Sequence, residues 1–153
     1  HLSLRRQRQM CIRDRSYFER FGGVKRYLDE VVEQARRDGY TSTLFGRRRY
    51  LPELNSENRV ARENAERAAL NAPIQGTAAD IIKVAMVRVD KALAGYQSRV
   101  LLQVHDELVV EVAAGELDEV RGIVEREMDG AISLLVPLEV SAGTGTNWNE
   151  AAH

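Results

Sequence analysis

The clearest pattern of apolar and polar positions lies in residues 101–112, LLQVHDELVVEV. Two runs rich in Val and Leu flank the polar triplet His105-Asp106-Glu107. Short apolar runs rich in β-branched residues are typical of strands, so the pattern predicts a hairpin with a tight turn. Two-residue hairpin turns favour glycine because they require positive φ, yet this turn contains none. Local rules are broken mainly where function requires it, so the triplet is the first candidate site.

The chain before this hairpin predicts a helix and a smaller hairpin. Apolar residues recur at helical spacing over residues 24–35, and Gly39 is placed to end that helix. The smaller hairpin covers residues 40–52, turns near Gly46 and carries three consecutive arginines, 47–49. These arginines either contact phosphates or form an ordinary solvated face, and the sequence leaves both interpretations open.

Two more helices are predicted, over residues 57–71 and 78–94. Pro73 cannot continue a straight helix, and Gly76 allows a bend between them. Candidate N-terminal caps precede the two helices: Ser56 for the first, and Thr77 with Asp80 for the second.

The chain after the central hairpin predicts a fourth helix over residues 115–133 and a short edge strand over residues 136–140, which contains Pro137. Trp148, the single tryptophan, is expected to fill the core. Together these elements predict an α+β fold. A small antiparallel sheet built around a hairpin at about residues 100–112 is packed by about four helices.

Charge separates residues 1–15 from the rest of the chain. The 153-residue sequence has a formal net charge of −1, but residues 1–15 carry five Arg and one Asp. The remainder therefore carries 17 basic and 22 acidic side chains, a net −5. A basic nucleic-acid-binding arm and a mitochondrial-type presequence are two interpretations of the segment. The string MCIRDR instead resembles translated sequencing-adapter read-through, which we favour, so residues 1–15 are excluded from the predicted fold.

The overall composition excludes several classes of protein. The sequence is 44% hydrophobic and 29% charged, which suits a globular domain or part of one. Its single cysteine, Cys11, excludes an internal disulfide framework. No run of about 18 apolar residues occurs, so no transmembrane helix is expected.

Two groups of polar residues are candidates for chemistry. Asp106 and Glu107 are adjacent carboxylates at a rigid strand end, and carboxylate oxygens suit a hard cation such as Mg²⁺. Paired metal ions clamp the attacking and leaving oxygens in phosphoryl transfer, whereas the same triplet alone is more typical of a solvated turn. Arg67, Asn71 and Gln75 are spaced by four and carry donors that contact base edges and sugars, or they form an ordinary polar helix face.

Four blocks of sequence resemble the C-terminal part of bacterial family A DNA polymerases: GYTSTLFGRRRYLPEL, AERAALNAPIQGTAADIIK, LLQVHDELVVEV and GTNWNEAAH. The blocks occur in the family's order, and the resemblance covers residues 16–153 and reaches the family's own C-terminus. It implies a portion of the palm with adjoining elements of the fingers. Such a portion is an incomplete domain that is missing the N-terminal remainder of a polymerase.

The resemblance implies roles for both groups of polar residues. Asp106 would be one of the family's two metal-binding aspartates, Glu107 would support the metals, and His105 would lie near the primer 3′ end. Three helix residues would contact primer–template DNA, partly through the minor groove: Arg67, Asn71 and Gln75. The arginines at 47–49 would lie near the DNA backbone or the junction of fingers and palm.

The activity that the resemblance implies is template-directed DNA synthesis in the bacterial cytoplasm, associated with the nucleoid. A primer 3′-hydroxyl attacks the α-phosphate of a dNTP, aided by two Mg²⁺ ions. The family's second catalytic aspartate lies in a motif resembling DYSQIELR, which this sequence lacks, as it lacks the fingers helix that grips the triphosphate. The chain by itself is therefore expected to be inactive. Its implied partners are primer–template DNA, dNTP and the missing remainder, with no membrane.

Three alternatives stay open. The first is a non-catalytic module that grips duplex DNA, against which the excess of acidic side chains argues. The second is a structural fragment whose exposed apolar surface promotes association. The third is a phage-type single-subunit RNA polymerase, which shares a palm His-Asp, although Glu107 and the block NAPIQGTAAD favour the DNA enzyme.

Overall fold

The computed structural model describes residues 20–151. The described part of the chain divides into two compact units, one up to Gly76 and one from Thr77 onward. The segment 1–15 and the domain boundary at residue 16 lie outside the described residues, so both remain predictions. No helix in the described part of the chain is long and apolar enough to cross a membrane.

The first unit begins with helix α1, Gly22–Asp38. Gly39 follows it with a φ of 77°, and its N–H donates to the Ala35 carbonyl with an N···O distance of 2.9 Å. Glycine is favoured at this left-handed position because it lacks the Cβ that would come too close to the following carbonyl oxygen. The predicted first helix and its glycine cap are therefore confirmed.

The smaller hairpin consists of strand β1, Tyr40–Ser42, and strand β2, Arg48–Tyr50, in antiparallel pairing. Gly46 lies in the loop between them with a φ of 80°, so the predicted turn near this residue is confirmed. A short 3₁₀ helix, Pro52–Asn55, follows. A buried apolar cluster joins this segment to the flanking helices of the unit: Ala35, Leu51, Leu54, Ala65 and Ala69.

Helix α2, Arg59–Ala92, is 34 residues long and contains Pro73 in its interior. The prediction of two helices separated at Pro73 is therefore wrong. A proline in a helix removes one hydrogen bond and costs about 3 kcal/mol. Buried positions continue at helical spacing on both sides of the proline: Ala65, Ala69, Ile82, Ala85 and Val89. Since burying one Val or Ile side chain contributes roughly 1.5–3 kcal/mol, the packed face outweighs the local penalty.

The caps of α2 also differ from prediction. Asn58 is the N-cap, because its Oδ1 accepts hydrogen bonds from two first-turn backbone N–H groups at 2.9 and 3.3 Å. Ser56 accepts instead from the Asn58 N–H at 3.2 Å. Thr77 and Asp80 lie inside the continuous helix, where the first-turn N–H groups that a cap serves do not occur.

The second unit is built on a hairpin and a helix. Strand β3, Arg99–Val104, pairs antiparallel with strand β4, Glu107–Glu111, and Leu101 forms a bulge in β3. Helix α3, Leu117–Asp129, follows, and helix α4, Trp148–Ala151, ends the described chain. Partly buried hairpin residues that include Val100 and Leu108 pack on a buried cluster from α2, the residue after it and α3: Val89, Leu93, Val120 and Ile123.

Three expectations for the second unit are corrected. Helix α3 ends at Asp129, four residues before the predicted end. Residues 136–140 form no strand, because no described segment pairs with them and Pro137 lacks a donor. Trp148 is 49% exposed at the start of the four-residue α4, so it does not fill the core. The predicted α+β class is confirmed, although the described strands form two separate two-stranded sheets.

Candidate functional site

The tip of the β3–β4 hairpin carries the polar triplet. His105 and Asp106 are the two central residues of the turn, and Val104 lies opposite Glu107 as the closing pair. His105 has a φ of 53°, and within residues 20–151 it is the one non-glycine residue with positive φ. A residue with a side chain pays roughly 1–2 kcal/mol for this conformation. The sequence predicts a tight turn without glycine, and the structure contains it. His105 adopts the positive φ and therefore carries the strain.

Gln103 lies in β3, the strand that precedes the turn, and holds the turn in place. Its Nε2 donates to the His105 carbonyl oxygen at 2.9 Å. Gln103 is not among the candidates predicted from the sequence, although a polar residue in an otherwise apolar run, two positions before the turn, is a usable signal. The contact fixes the backbone of His105 from β3, and it therefore supports a positive φ at a residue other than glycine.

The base of the same hairpin is closed by Ser98 and Glu116. The Ser98 hydroxyl donates to Glu116 Oε2 at 2.6 Å, and its oxygen accepts the Ala113 N–H at 2.9 Å. Glu116 also accepts the backbone N–H groups of Gln97 and Ser98 at 3.1 and 3.0 Å. The hydrogen bond from the Ser98 hydroxyl is the main reason that the pKa of the Glu116 carboxyl is lowered. Both ends of the hairpin are therefore fixed by side-chain hydrogen bonds.

Asp106 and Glu107 place two adjacent carboxylates at the exposed tip. Their oxygens match the donor preference of a hard cation such as Mg²⁺. Within residues 20–151, no group of three His, Cys, Asp or Glu side chains is arranged to hold a metal ion. Since Mg²⁺ requires six ligands in near-octahedral geometry, the tip fits one part of a metal site and needs further ligands.

The second candidate group lies on α2. Arg67, Asn71 and Gln75 are all exposed, and the helix is continuous across them. Their spacing of four therefore places them along one side of the helix, over about 12 Å of its axis. Arg67 also donates a hydrogen bond to Asn64 Oδ1, three residues earlier in the helix.

The β1–β2 hairpin, called the basic hairpin after its arginines 47–49, packs beside Gln75, the last residue of the helix group. Arg47 Nη2 donates to the Gly76 carbonyl oxygen at 3.0 Å. A Cβ atom at Gly76 would lie 2.7 Å from Thr43 Cγ2, a distance that real Cβ atoms do not adopt. Gly76 therefore permits the close approach of the hairpin. The sequence instead predicts that this glycine allows a bend in the helix. An isolated glycine inside a helical pattern is the signal that points to such packing.

The packing of the basic hairpin on α2 forms a small open cleft. This cleft brings together the arginines 47–49 and Gln75, which the sequence predicts as members of two separate groups. Its volume is about 220 Å³. Residues of the basic hairpin and of α2 line it: Thr41, Ser42, Thr43, Arg47, Arg48, Arg49, Ala72, Gln75 and Gly76. Gln75 thus shares a surface with the three arginines. The carboxylate tip belongs to the other compact unit, residues 77–153.

Comparison with known proteins gives a consistent set of matches. The sequence model of DNA polymerase family A matches residues 5–150, a range that includes part of the segment 1–15. DNA polymerase I of Mycobacterium bovis is 66% identical over 140 residues, which cover 90% of this chain and 16% of the relative. DNA polymerase I of Streptococcus pneumoniae is 55% identical over 138 residues, which cover 89% of this chain and 16% of the relative.

A solved structure is similar as well. The POL domain of Pol1 from M. smegmatis, in complex with DNA primer-template and dNTP, superposes with a TM-score of 0.87 and 65% sequence identity. The match covers 90% of this chain and 24% of that chain. The chain thus spans about one sixth of the length of the curated relatives that it matches.

Proposed function

The chain belongs to DNA polymerase family A, and from that premise we propose that it forms part of the active centre of a template-directed DNA polymerase. The observation that carries the proposal is the hairpin tip, where a strained turn at His105 presents two adjacent carboxylates to solvent. The similar M. smegmatis domain was determined with primer-template and dNTP, so the same partners are proposed here.

The roles at the tip follow from the chemistry of its side chains. Family A DNA polymerases depend on metal ions, and Asp106 with Glu107 would hold Mg²⁺ through carboxylate oxygens. When bound, two such ions neutralise charge that develops on the transferring phosphoryl group and align the reacting oxygens. The exposed His105 imidazole would hydrogen-bond near the 3′ end of the primer. The hydrogen bonds at both ends of the hairpin keep the carboxylates in place.

The helix face would bind the primer–template duplex. Arg67, Asn71 and Gln75 are exposed donors along one side of α2. The minor groove presents acceptors at every A·T and G·C pair, so donors of this kind contact the duplex without selecting a sequence. The basic hairpin would contact phosphates, which position a duplex without reading it.

The site is incomplete within this sequence. It has two adjacent carboxylates at the tip and no segment resembling DYSQIELR, where the family carries its second catalytic aspartate. We therefore expect no Mg²⁺-dependent primer extension by the 153-residue chain. Replacing the matching segment of the M. smegmatis POL domain with residues 20–151 should give an active enzyme. Extension by the chain alone, or inactivity of a folded chimera, would contradict the proposal.

A second candidate function is duplex binding without catalysis. The helix face and the basic hairpin lie in one compact unit, which favours it. The net charge of −5 outside residues 1–15 opposes it, because affinity for DNA rises with the number of phosphates that are neutralised. Primer–template binding that weakens steeply with salt, combined with an inactive chimera, would support this function over synthesis.

A further inference from the structure

The three consecutive arginines of the basic hairpin are not equivalent. Arg47 donates to the Gly76 carbonyl oxygen on α2. The Arg48 guanidinium lies over the Tyr40 ring, 4.5 Å from its centroid. Within the described residues, no hydrogen bond, ion pair or ring contact engages the Arg49 side chain, which is exposed. Arg49 is therefore the one arginine of the three whose side chain no other described residue engages in this way.

The position of Arg49 in the strand separates it from its neighbour. In β2, Ser42 lies opposite Arg48 and Thr41 lies opposite Arg49. Successive strand residues point to opposite faces, so Arg48 shares its face with the two tyrosines of the hairpin and Arg49 shares its face with Thr41. Stacking on Tyr40 packs the Arg48 guanidinium within the hairpin, whereas the Arg49 side chain is not held there and its fork can turn to an oxyanion.

The loop of the hairpin is held by Thr43 and Arg47. The Thr43 N–H donates to the Arg47 carbonyl oxygen at 3.0 Å, and the Arg47 N–H donates to Thr43 Oγ1 at 3.2 Å. The same Thr43 contributes the methyl group that a Cβ at Gly76 would strike. The Arg47 side chain extends this closed loop to the helix, so the hairpin is docked at one defined point.

Docking at Gly76 places Arg49 on the same cleft as Gln75. The cleft volume of about 220 Å³ is below the roughly 300–1,000 Å³ typical of small-molecule sites. It suits one phosphate group in contact with an arginine and flanking hydroxyl and amide groups. A phosphate of a duplex that also contacts Gln75 has the right chemistry and lies on the right surface.

We propose that Arg47 is a positioning residue that docks the basic hairpin on α2, and that Arg49 is the arginine of this hairpin that contacts a DNA backbone phosphate. This inference rests on the proposed function, because it requires that α2 binds primer–template DNA. It assigns Arg48 a packing role on Tyr40.

The phosphate contact is tested by the salt dependence of primer–template affinity, measured by fluorescence anisotropy with the 153-residue chain. The slope of log K against log salt is negative, and loss of one phosphate contact reduces its magnitude by about 0.9. Arg49→Ala should show this change and Arg49→Lys should not. Arg48→Ala is the matched control and should change the slope by less. Equal slope changes for the two alanine variants would overturn the role of Arg49.

The positioning role is tested by combining variants. Arg47→Ala should weaken binding, and in that background Arg49→Ala should cause no further change in slope, because Arg49 is no longer held beside Gln75. Hydrogen exchange of the hairpin amides should rise in Arg47→Ala. Additive slopes or unchanged exchange would overturn the role of Arg47. If the unsubstituted chain does not bind duplex DNA at low salt, both the proposed duplex contact and the role of Arg49 are contradicted. Hydrogen exchange of the hairpin amides then still decides whether Arg47 docks the hairpin.

Discussion

The two hairpins of this chain meet the same backbone requirement in opposite ways. The β1–β2 loop supplies positive φ with Gly46 and carries its charged residues, 47–49, at and beyond the end of the loop. The β3–β4 turn supplies positive φ with His105 and carries its charged residues at the tip itself. A glycine at the tip would relax the turn and remove the imidazole that we propose to lie near the primer 3′ end. Strain is therefore present at the turn whose side chains carry the proposed function.

The hairpins also differ in what holds them. The basic hairpin is held by packing against a neighbouring helix, at Gly76. The β3–β4 hairpin, called the acidic hairpin after Asp106 and Glu107, is held by hydrogen bonds at its own two ends. These come from Gln103 at the tip and from the Ser98–Glu116 pair at the base. Substitutions at Gly76 should therefore affect the basic hairpin most, whereas pH should affect the base of the acidic hairpin.

The largest stability effect is expected at Gly76. An added Cβ would lie 2.7 Å from Thr43 Cγ2 and 3.3 Å from Arg47 Nη2. Gly76→Ala should destabilise the chain by roughly 1–3 kcal/mol, as other overpacked sites do. In a Thr43→Ser background, which removes the methyl and keeps the hydroxyl, the same substitution should cost less than half as much. Urea denaturation of the four proteins measures the coupling, and equal costs in both backgrounds would contradict the packing role.

An intermediate effect is expected when the turn residues are exchanged. Gly46→Ala forces a side chain into a φ of 80° and should lower the free energy of unfolding by about 1 kcal/mol. His105→Gly relieves the same strain and should raise it by a few tenths to about 1 kcal/mol, after the backbone entropy cost of glycine. The two variants form a matched pair. Destabilisation by His105→Gly would show that the histidine side chain, and not the strain, dominates at the tip.

The smallest effect is expected from pH. Because the pKa of Glu116 is lowered in the folded chain, chiefly by the Ser98 hydroxyl, its contribution is complete above the ordinary pKa of a glutamate. The contribution is lost as pH falls through the lower folded pKa. Thermal unfolding between pH 7 and pH 3 should show a loss of stability at the acidic end that is smaller in Glu116→Gln. An identical pH dependence in the variant would exclude Glu116 as the cause.

Much of the acidic hairpin was predictable from sequence, because strand pattern and turn chemistry are local properties. The triplet His105-Asp106-Glu107 marks the turn, and the missing glycine indicates its strain. The continuity of α2 across Pro73 was not predictable, because the proline penalty is local whereas the compensating burial is spread along the helix. The prediction for Trp148 failed because an apolar residue type does not by itself specify a packing partner.

The basic hairpin illustrates a different limit. Three consecutive arginines are visible in the sequence, but their different partners depend on a contact between residues 29 positions apart, Arg47 and Gly76. Spacing rules for helices and strands do not reach that far. The grouping of Gln75 with the arginines therefore emerged from the fold, while the helical spacing of Arg67, Asn71 and Gln75 followed from the sequence.

We propose that the hairpin tip supplies a metal-binding carboxylate for DNA synthesis. The direct measurement is Mg²⁺-dependent primer extension by the M. smegmatis POL domain carrying residues 20–151, with and without Asp106→Asn. Glu111→Gln on the same hairpin is the matched control, since that carboxylate pairs with Arg99. The account predicts a loss on the order of a thousand-fold for Asp106→Asn, as metal ions supply several kcal/mol, and a small change for Glu111→Gln. Near-normal extension by a folded Asp106→Asn chimera would contradict it.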